Sequence, residues 1–209
     1  MNQFTLDNQK LLSIDEERIV ARTFMGRIEW EMIVIGLGQF LVWLGIWAMV
    51  LMGSLSLWAG FILSTISTAF SYLPSHAGQH GHLSGKNKKL KWLNAFVGQI
   101  SLIPLAQSHH VLKAIHMKHH AFTNNPERDP DFFHTHVDHW WQAAINVHGQ
   151  TNGGDSRLQK MMEMYTEEDE NFKADIEKGT PFALMFFFGQ MIVAFFLSLI
   201  HISEPTRHT

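Results

Sequence analysis

Residues 32–73, MIVIGLGQFLVWLGIWAMVLMGSLSLWAGFILSTISTAFSYL, contain no charged side chain and decide the fold class. Two apolar runs, 32–52 and 55–73, are separated by Gly53 and Ser54. Each run is about 20 residues long, and at a rise of about 1.5 Å per residue such a helix covers the roughly 30 Å of bilayer hydrocarbon. The stretch therefore predicts a transmembrane helical hairpin.

Two further apolar runs follow the hairpin. Residues 181–202 are long enough for a third span, whereas residues 90–105 are shorter and interrupted by polar residues and Pro104, which suits a half-inserted or interfacial segment. Residues 74–180 then form a helical cap outside the membrane. We therefore expect an all-α integral membrane protein, with one domain over residues 1–209.

Charge placement predicts the orientation of the hairpin. No Asp or Glu occurs between Glu31 and Glu127, whereas lysines follow the hairpin at Lys86, Lys88, Lys89, Lys91, Lys113 and Lys118. Cytoplasmic loops carry an excess of Lys and Arg, so we expect this face and the amino terminus to be cytoplasmic, in an inner or plasma membrane. The net charge of −3 is unremarkable, and no nucleic acid partner is expected.

The cap contains two segments with helical spacing of apolar residues. One predicts either an amphipathic helix in the membrane interface or a core helix of the cap, with equal weight, and its residues at helical spacing are Val137, Trp140, Trp141, Ala144, Ile145 and His148. The other, residues 157–178, has apolar side chains on roughly one face. It predicts one or two cytosolic helices that pack against the region containing the histidines described next.

Two histidine clusters lie just beyond the hairpin. S-H-A-G-Q-H contains His76 and His80, and H-M-K-H-H contains His116, His119 and His120. The chain has 14 histidines and no cysteine, so imidazole is the only soft ligand available in quantity. Histidines at i, i+3 and i+4 share one face of a helix, and imidazole binds Fe, Zn, Cu and Ni. The clusters therefore predict a metal site at a membrane surface.

Other interpretations of the histidines remain open on the residues alone. His76 and His80 have the spacing of H-E-x-x-H, but Ala77 occupies the position of the general base, which disfavours zinc-dependent proteolysis. A single-zinc membrane hydrolase and a non-catalytic membrane protein are the two alternatives. The other histidines of the region show no clear ligand spacing, and we expect them to be surface groups or neighbours of the ligands: His82, His109, His110, His134, His136 and His139.

The second cluster continues as H-M-K-H-H-A-F-T-N-N-P-E-R-D-P-D, residues 116–131. This segment resembles the second histidine box of the membrane fatty acid desaturase superfamily. It is especially similar to desaturases and carotenoid ring hydroxylases in which the box continues into N-x-P-x-x-D-P-D. With H-x-x-x-H as the first box, the resemblance covers residues 32–141. It implies two non-haem irons in the complete protein, with ligands here at His76, His80, His116, His119 and His120, and no catalytic residue beyond the ligands.

Some residues after the second box are placed to form hydrogen bonds with the predicted ligands. Asp129 and Asp131 are candidates to accept hydrogen bonds from ligand imidazoles, and Asn124 lies in the same element. The alternative is that these residues only form turns and caps. Both interpretations are retained.

The chain departs from the family pattern in its last part. The family's third box, H/Q-x-x-H-H, follows a second pair of spans, and no such box occurs here. We therefore expect a chain that is incomplete at its carboxyl end and inactive by itself. Many family members also carry an acidic residue where this chain has Ala77.

The resemblance implies an O2-dependent enzyme that desaturates, or hydroxylates, a lipid taken from the bilayer. A fatty acyl chain is the first expectation and a carotenoid ring is the alternative. Because no haem, flavin or iron–sulfur motif is visible, electrons would come from a ferredoxin or from a cytochrome b5-like carrier with its reductase. The lysine-rich face is suited to an acidic donor.

Overall fold

The computed structural model describes residues 13–24, 26–132, 137–143, 145 and 157–203. Within these ranges every regular element is helical. Short 3₁₀ turns occur at Lys88–Leu90 and Ile103–Leu105. The α-helices labelled here are α1 (Ile14–Phe24), α2 (Trp30–Leu51), α3 (Leu57–Ala69), α4 (Tyr72–Gln79), α5 (Trp92–Leu102), α6 (His109–Phe122), α7 (Arg157–Glu168) and α8 (Glu170–Ser203), and residues 140–143 are helical as well.

Three helical stretches are long and apolar enough to cross a membrane: Trp30–Leu51, Leu57–Gln79 and Glu170–Phe196. Large apolar side chains on all three are exposed, including Trp58 at 78% and Phe195 at 61%. Such exposure is costly in water and favourable in lipid. The chain is therefore an all-α membrane protein, as the sequence predicts.

The turn of the hairpin is built from local signals. α2 ends at Leu51, and Gly53 adopts a φ of +71°, a left-handed conformation that glycine accepts without strain. Ser56 then caps α3, because its side-chain oxygen accepts a hydrogen bond of 3.3 Å from the Ala59 N–H.

Gln39 joins the helices of the hairpin to α5 inside the apolar layer. Its Nε2 donates to the Ser101 carbonyl over 3.2 Å, and its Oε1 accepts a hydrogen bond of 3.1 Å from the Ser71 hydroxyl. Ser67 donates to the Gln39 carbonyl. Each of these groups is buried, so the hydrogen bonds fix the helices where lipid offers no other partner.

The start of α2 and the end of α4 lie at the same end of the hairpin. The Lys86 N–H donates to the Gly26 carbonyl over 2.9 Å. Ile33 of α2, Ala77 of α4 and Val97 of α5 belong to one buried apolar cluster. The first histidine cluster is consequently on the side from which the chain enters the hairpin.

The sequence predicts that the second span ends at Pro74, but the helix continues beyond this residue. α3 ends at Ala69, and a new helix, α4, begins at Tyr72 and continues to Gln79. Pro74 lies in the first turn of α4, where an amide N–H has no helical partner and proline is tolerated. The second span therefore extends to the first histidine.

Pro181 does not begin the third span either. One helix, α8, runs from Glu170 to Ser203 and contains Pro181. The φ of proline is compatible with a helix, so α8 continues through this position although the Glu177 carbonyl loses its amide partner. The polar turns before Pro181 are thus continuous with the membrane helix.

Two smaller predictions concern the remaining segments. α5 has 11 residues, too few to cross a bilayer, as expected for a half-inserted segment. Trp140 and Trp141 are helical and exposed, but Ala144 and His148 of the predicted helix lie outside the described residues.

Candidate metal centre

The first pair of histidines is positioned by α4. His76 lies on the helix and His80 is its carboxyl-terminal cap, one turn later. Residues four apart project from the same face of a helix. The centroids of the two imidazole rings are 4.8 Å apart.

The second group of histidines is positioned by α6, which contains His116, His119 and His120. α6 packs against α4 at the end of the hairpin. The His116 ring centroid lies 4.6 Å from that of His76 and 4.9 Å from that of His80. Two helices that are distant in sequence thus bring their histidines into one cluster.

Four of the five predicted ligands converge: His76, His80, His116 and His120 each offer one ring nitrogen, and these atoms all lie within 4.8 Å of one another. The His116 Nε2 is 3.0 Å from the Nε2 of His80 and 3.0 Å from that of His120. Nitrogens bound to one metal ion lie about 3 Å apart, because each metal–nitrogen bond is about 2.1 Å long. The donor set and its spacing fit a metal ion.

The cluster is suited to neutral imidazoles. Burial, followed by the neighbouring imidazoles of His76 and His120, lowers the pKa of His116 to about 4. His116 is consequently neutral at pH 7, which is the form that binds a metal.

The fifth predicted ligand, His119, lies beside the cluster rather than within it. Its ring centroid is 5.6 Å from that of His120 and 6.1 Å from that of His116. The His119 Nδ1 donates to Asp129 Oδ1 over 2.7 Å. A carboxylate can only accept a hydrogen bond, so the His119 Nδ1 carries the proton. The lone pair of Nε2 is therefore free to bind a metal ion.

Asp129 is fully buried and occupies the centre of the loop after α6. Its carboxylate also accepts hydrogen bonds from the backbone N–H groups of Asn124 (2.7 Å) and Asp131 (2.8 Å). Burial acts to raise the pKa of Asp129, but these hydrogen bonds and the one from His119 outweigh it and hold the pKa below its usual value. The Asp131 carboxylate is 3.9 Å from the His119 Nδ1.

Residues of α7 hold this loop in place. Arg157 donates to the carbonyl of Pro126 and, over 3.2 Å, to that of Asp129. The Tyr165 hydroxyl donates to the Arg128 carbonyl. Arg157 and Tyr165 thus support the loop through backbone groups. Sequence reasoning places Tyr165 on an apolar helix face but gives no signal for either hydrogen bond.

The face of α6 opposite α4 binds the amino-terminal part of α8. Lys118 Nζ is 2.7 Å from Asp169 Oδ2 and 4.6 Å from the centroid of the Tyr165 ring. Ala114 packs in a buried cluster with Met161, Tyr165 and Phe172. The predicted packing of residues 157–178 against the histidine region is confirmed.

Among the remaining histidines, His109 differs most from the prediction of a surface group. Its side chain is buried, with 3% exposure. Its ring lies against Gly98 of α5 and Gly78 of α4, and its Nδ1 is 3.4 Å from the Ser75 hydroxyl. No local sequence pattern marks this burial.

The His82 ring stacks at 5.3 Å from that of His80, and the His110 Nδ1 is 3.3 Å from Asp175. His134 and His136 lie outside the described residues.

Two apolar cavities lie between the spans. One, of about 510 Å³, is lined by α2, α3 and α8, and the other, of about 380 Å³, by α2 and α8. They share Trp43, Trp47 and Gln190. None of the predicted ligands lines either cavity, so these are spaces between membrane helices rather than parts of the histidine cluster.

Comparisons with known proteins agree with this arrangement. The family model described as fatty acid desaturase matches residues 52–204. The sn-1 oleoyl-lipid 12-desaturase of Picosynechococcus sp. is 33% identical over 69 residues, which are 33% of this chain and 18% of that protein. No solved structure matches the chain. Since the family model covers most of the chain, including both histidine clusters, the chain belongs to the fatty acid desaturase family.

Proposed function

We propose that the histidine cluster binds iron and that the complete protein is a non-haem di-iron oxygenase that desaturates, or hydroxylates, a membrane lipid. The observation that carries the proposal is the convergence of four imidazoles from α4 and α6 in a chain of the fatty acid desaturase family. An all-imidazole donor set is suited to iron among other metals, and the family membership favours iron.

His76, His80, His116 and His120 are the proposed ligands, and His119 is the fifth, oriented by Asp129. When bound, the metal would supply the O2-dependent oxidation of an unactivated C–H bond, which no side chain performs alone. The protein's own residues hold the ligands neutral and in position.

The proposed substrate is a fatty acyl chain carried by a membrane lipid. The name of the Picosynechococcus relative states that it acts on an oleoyl-lipid. The cluster is at the end of a membrane hairpin whose outer surface is apolar, so a lipid can reach it from the bilayer without entering water.

The proposed electron donor is an acidic carrier on the cytoplasmic side, either a ferredoxin or a cytochrome b5-like protein with its reductase. Lys86, Lys88, Lys89 and Lys91 follow the hairpin at the end that carries the histidines. Opposite charges steer such partners together and orient them.

Metal content of the purified chain tests the first step of the proposal. We expect iron to bind, and we expect it to be lost when His116 or His120 is replaced by alanine. His139→Ala is the matched control, since His139 is exposed and stacks on Trp141. Zinc at full occupancy with no iron would instead indicate a hydrolase, and unchanged metal content in both ligand variants would indicate a non-catalytic role.

Lipid and pigment profiles of cells that express the open reading frame containing this chain test the second step. A new double bond in acyl chains would support a desaturase. A hydroxylated carotenoid would support the alternative ring hydroxylase. Unchanged profiles for both, with the protein present and loaded with iron, would contradict the proposed function.

A further inference from the structure

A pocket of about 420 Å³, with charged and polar residues in its lining, adjoins the histidine cluster. We call it the anion pocket, and define it by Gly78, Gln79, His80, Lys91, Asn94 and Lys113, which line it together with neighbouring residues. His80 belongs to both the pocket and the histidine cluster, where its Nε2 is 3.0 Å from that of His116. A molecule that fills the pocket would therefore lie beside one residue of the cluster.

The charge of the anion pocket is positive. Lys91 and Lys113 line it, and no acidic side chain does so among the described residues. Neither lysine forms a salt bridge within the described ranges, unlike Lys118, which is paired with Asp169. Two lysines left without an acidic partner in one concave site favour an anion, and lysine commonly binds phosphate as a point charge.

One residue of the pocket wall has a buried polar group without a partner. Gln79 is 2% exposed and lines the pocket, and its Oε1 has no hydrogen-bond partner, although its Nε2 donates to Ser75 over 3.3 Å. A buried amide oxygen without a partner is costly, and a ligand that donates a hydrogen bond would satisfy it. The pocket is thus suited to a ligand that carries both a negative charge and a hydrogen-bond donor.

The walls of the pocket are held in place and lie next to aromatic side chains typical of a membrane interface. Asn94 Nδ2 donates to the Ser84 hydroxyl over 2.9 Å and to the Lys91 carbonyl over 3.1 Å. Trp92 and Phe96, which flank pocket residues on α5, are exposed, with ring centroids 5.5 Å apart. Exposed aromatic side chains of this kind lie at headgroup level in bilayers, where lipid phosphates are found.

We propose that the anion pocket binds the phosphate group of a phosphoglycerolipid whose acyl chain passes the histidine cluster. The inference rests on the proposed oxidation of lipid at that cluster and adds the class of lipid. Lys91 and Lys113 hold the phosphate, and Gln79 accepts a hydrogen bond from a hydroxyl of the headgroup. His80, shared by the two sites, sets the acyl chain beside the ligands.

Binding in detergent tests the proposal without iron or turnover. The purified chain is titrated with dioctanoylphosphatidylglycerol, with dioctanoylglycerol, which lacks the phosphate, and with inorganic phosphate, and tryptophan fluorescence reports binding because Trp92 adjoins the pocket. We expect the phosphate lipid to bind more tightly than either partial ligand. The double variant Lys91→Gln/Lys113→Gln should weaken its binding roughly 10- to 30-fold, on the basis of the usual contribution of a lysine at a lipid surface.

The matched control is Lys88→Gln/Lys89→Gln, which removes the same charge from the adjacent 3₁₀ turn outside the pocket. Equal weakening by the control would overturn the site, as would equal affinity for dioctanoylglycerol. Inorganic phosphate that binds as tightly as the lipid would overturn the assignment to a lipid. Pocket binding with unchanged lipid profiles in cells would contradict only the proposed function, and altered profiles without pocket binding would contradict only this inference.

Discussion

The Nδ1 of His119 donates a 2.7 Å hydrogen bond to a carboxylate, that of Asp129, which has no exposed surface. This pair fixes both the tautomer and the orientation of the His119 ring. A ligand imidazole held in this way is more basic and loses less freedom when it binds a metal. Asp129 is therefore the residue outside the ligand set on which metal binding should depend most.

The first prediction is that Asp129→Asn weakens iron binding by roughly 10- to 100-fold, the usual effect of losing such a partner. The amide keeps the size of the carboxylate but removes its charge and one acceptor for the backbone N–H groups. Iron titration of the purified variant measures the effect. Asp131→Asn is the control, because its carboxylate is 3.9 Å from His119 and should change the affinity little. Equal losses in the two variants would show that general charge, not the hydrogen bond, matters.

The second prediction concerns the support of the Asp129 loop by α7. Tyr165→Phe removes the hydroxyl that donates to the Arg128 carbonyl and should lower the free energy of unfolding by about 1 kcal/mol. Thermal or denaturant unfolding in detergent checks this value. Glu167→Gln, on the exposed face of the same helix, should have no comparable effect. A full loss of iron binding with unchanged stability would instead place Tyr165 at the metal.

The third prediction is a pH dependence of stability that arises from His109. Burial, and then the charge of His110, lowers the pKa of His109 from 6.5 to about 4. Below pH 6.5 the unfolded chain binds a proton that the folded chain does not, so stability is complete above pH 6.5 and falls as the pH decreases to 4. The expected loss over that range is roughly 3 kcal/mol.

Unfolding of the metal-free protein at pH 7, 6, 5 and 4 measures this dependence. His116 contributes in the same direction, so the comparison is between the wild type and His109→Gln. The variant should be less stable at pH 7 and should lose less stability on acidification. His82→Gln, at an exposed position, should follow the wild-type curve. Parallel curves for the wild type and His109→Gln would contradict the assignment.

The fourth prediction concerns the contact of Gly98 with the buried ring of His109. A Cβ at position 98 would overlap the His109 ring atoms Nδ1 and Cε1. Gly98→Ala should therefore destabilise the protein by about 1–3 kcal/mol. Gly45→Ala is the control in another helix, since nothing lies within 4 Å of a Cβ there, and the better helix propensity of alanine should make it neutral or slightly stabilising. Equal stability of both variants would show that α5 can move to accommodate the side chain.

The spans and the second histidine box could be predicted from sequence because each depends on local pattern. Continuous apolar runs predict membrane helices, and the H-x-x-H-H spacing places its histidines on roughly one helix face. The hydrogen bond between Asp129 and a ligand imidazole could be proposed as well, since both residues lie within one short segment.

The continuation of helix around Pro74 and Pro181 and the burial of His109 could not be predicted in the same way. A proline ends a helix or is accepted in it according to its surroundings in three dimensions, and α8 continues through Pro181. The burial of His109 depends on α4 and α5, which meet α6 only in three dimensions. These features are set by contacts between distant segments, and a single sequence contains no periodic signal for them.

The unbroken length of α8 has a consequence for the height of the ligands above the bilayer. Its 34 residues extend about 51 Å, well beyond the roughly 30 Å of hydrocarbon, and its first turns, near Asp175 and Gly179, contact α6. Because α6 carries three of the histidines, the position of α8 in the membrane sets the depth of these side chains relative to the bilayer. Bilayer thickness would then change the height of the histidine cluster relative to the lipid headgroups.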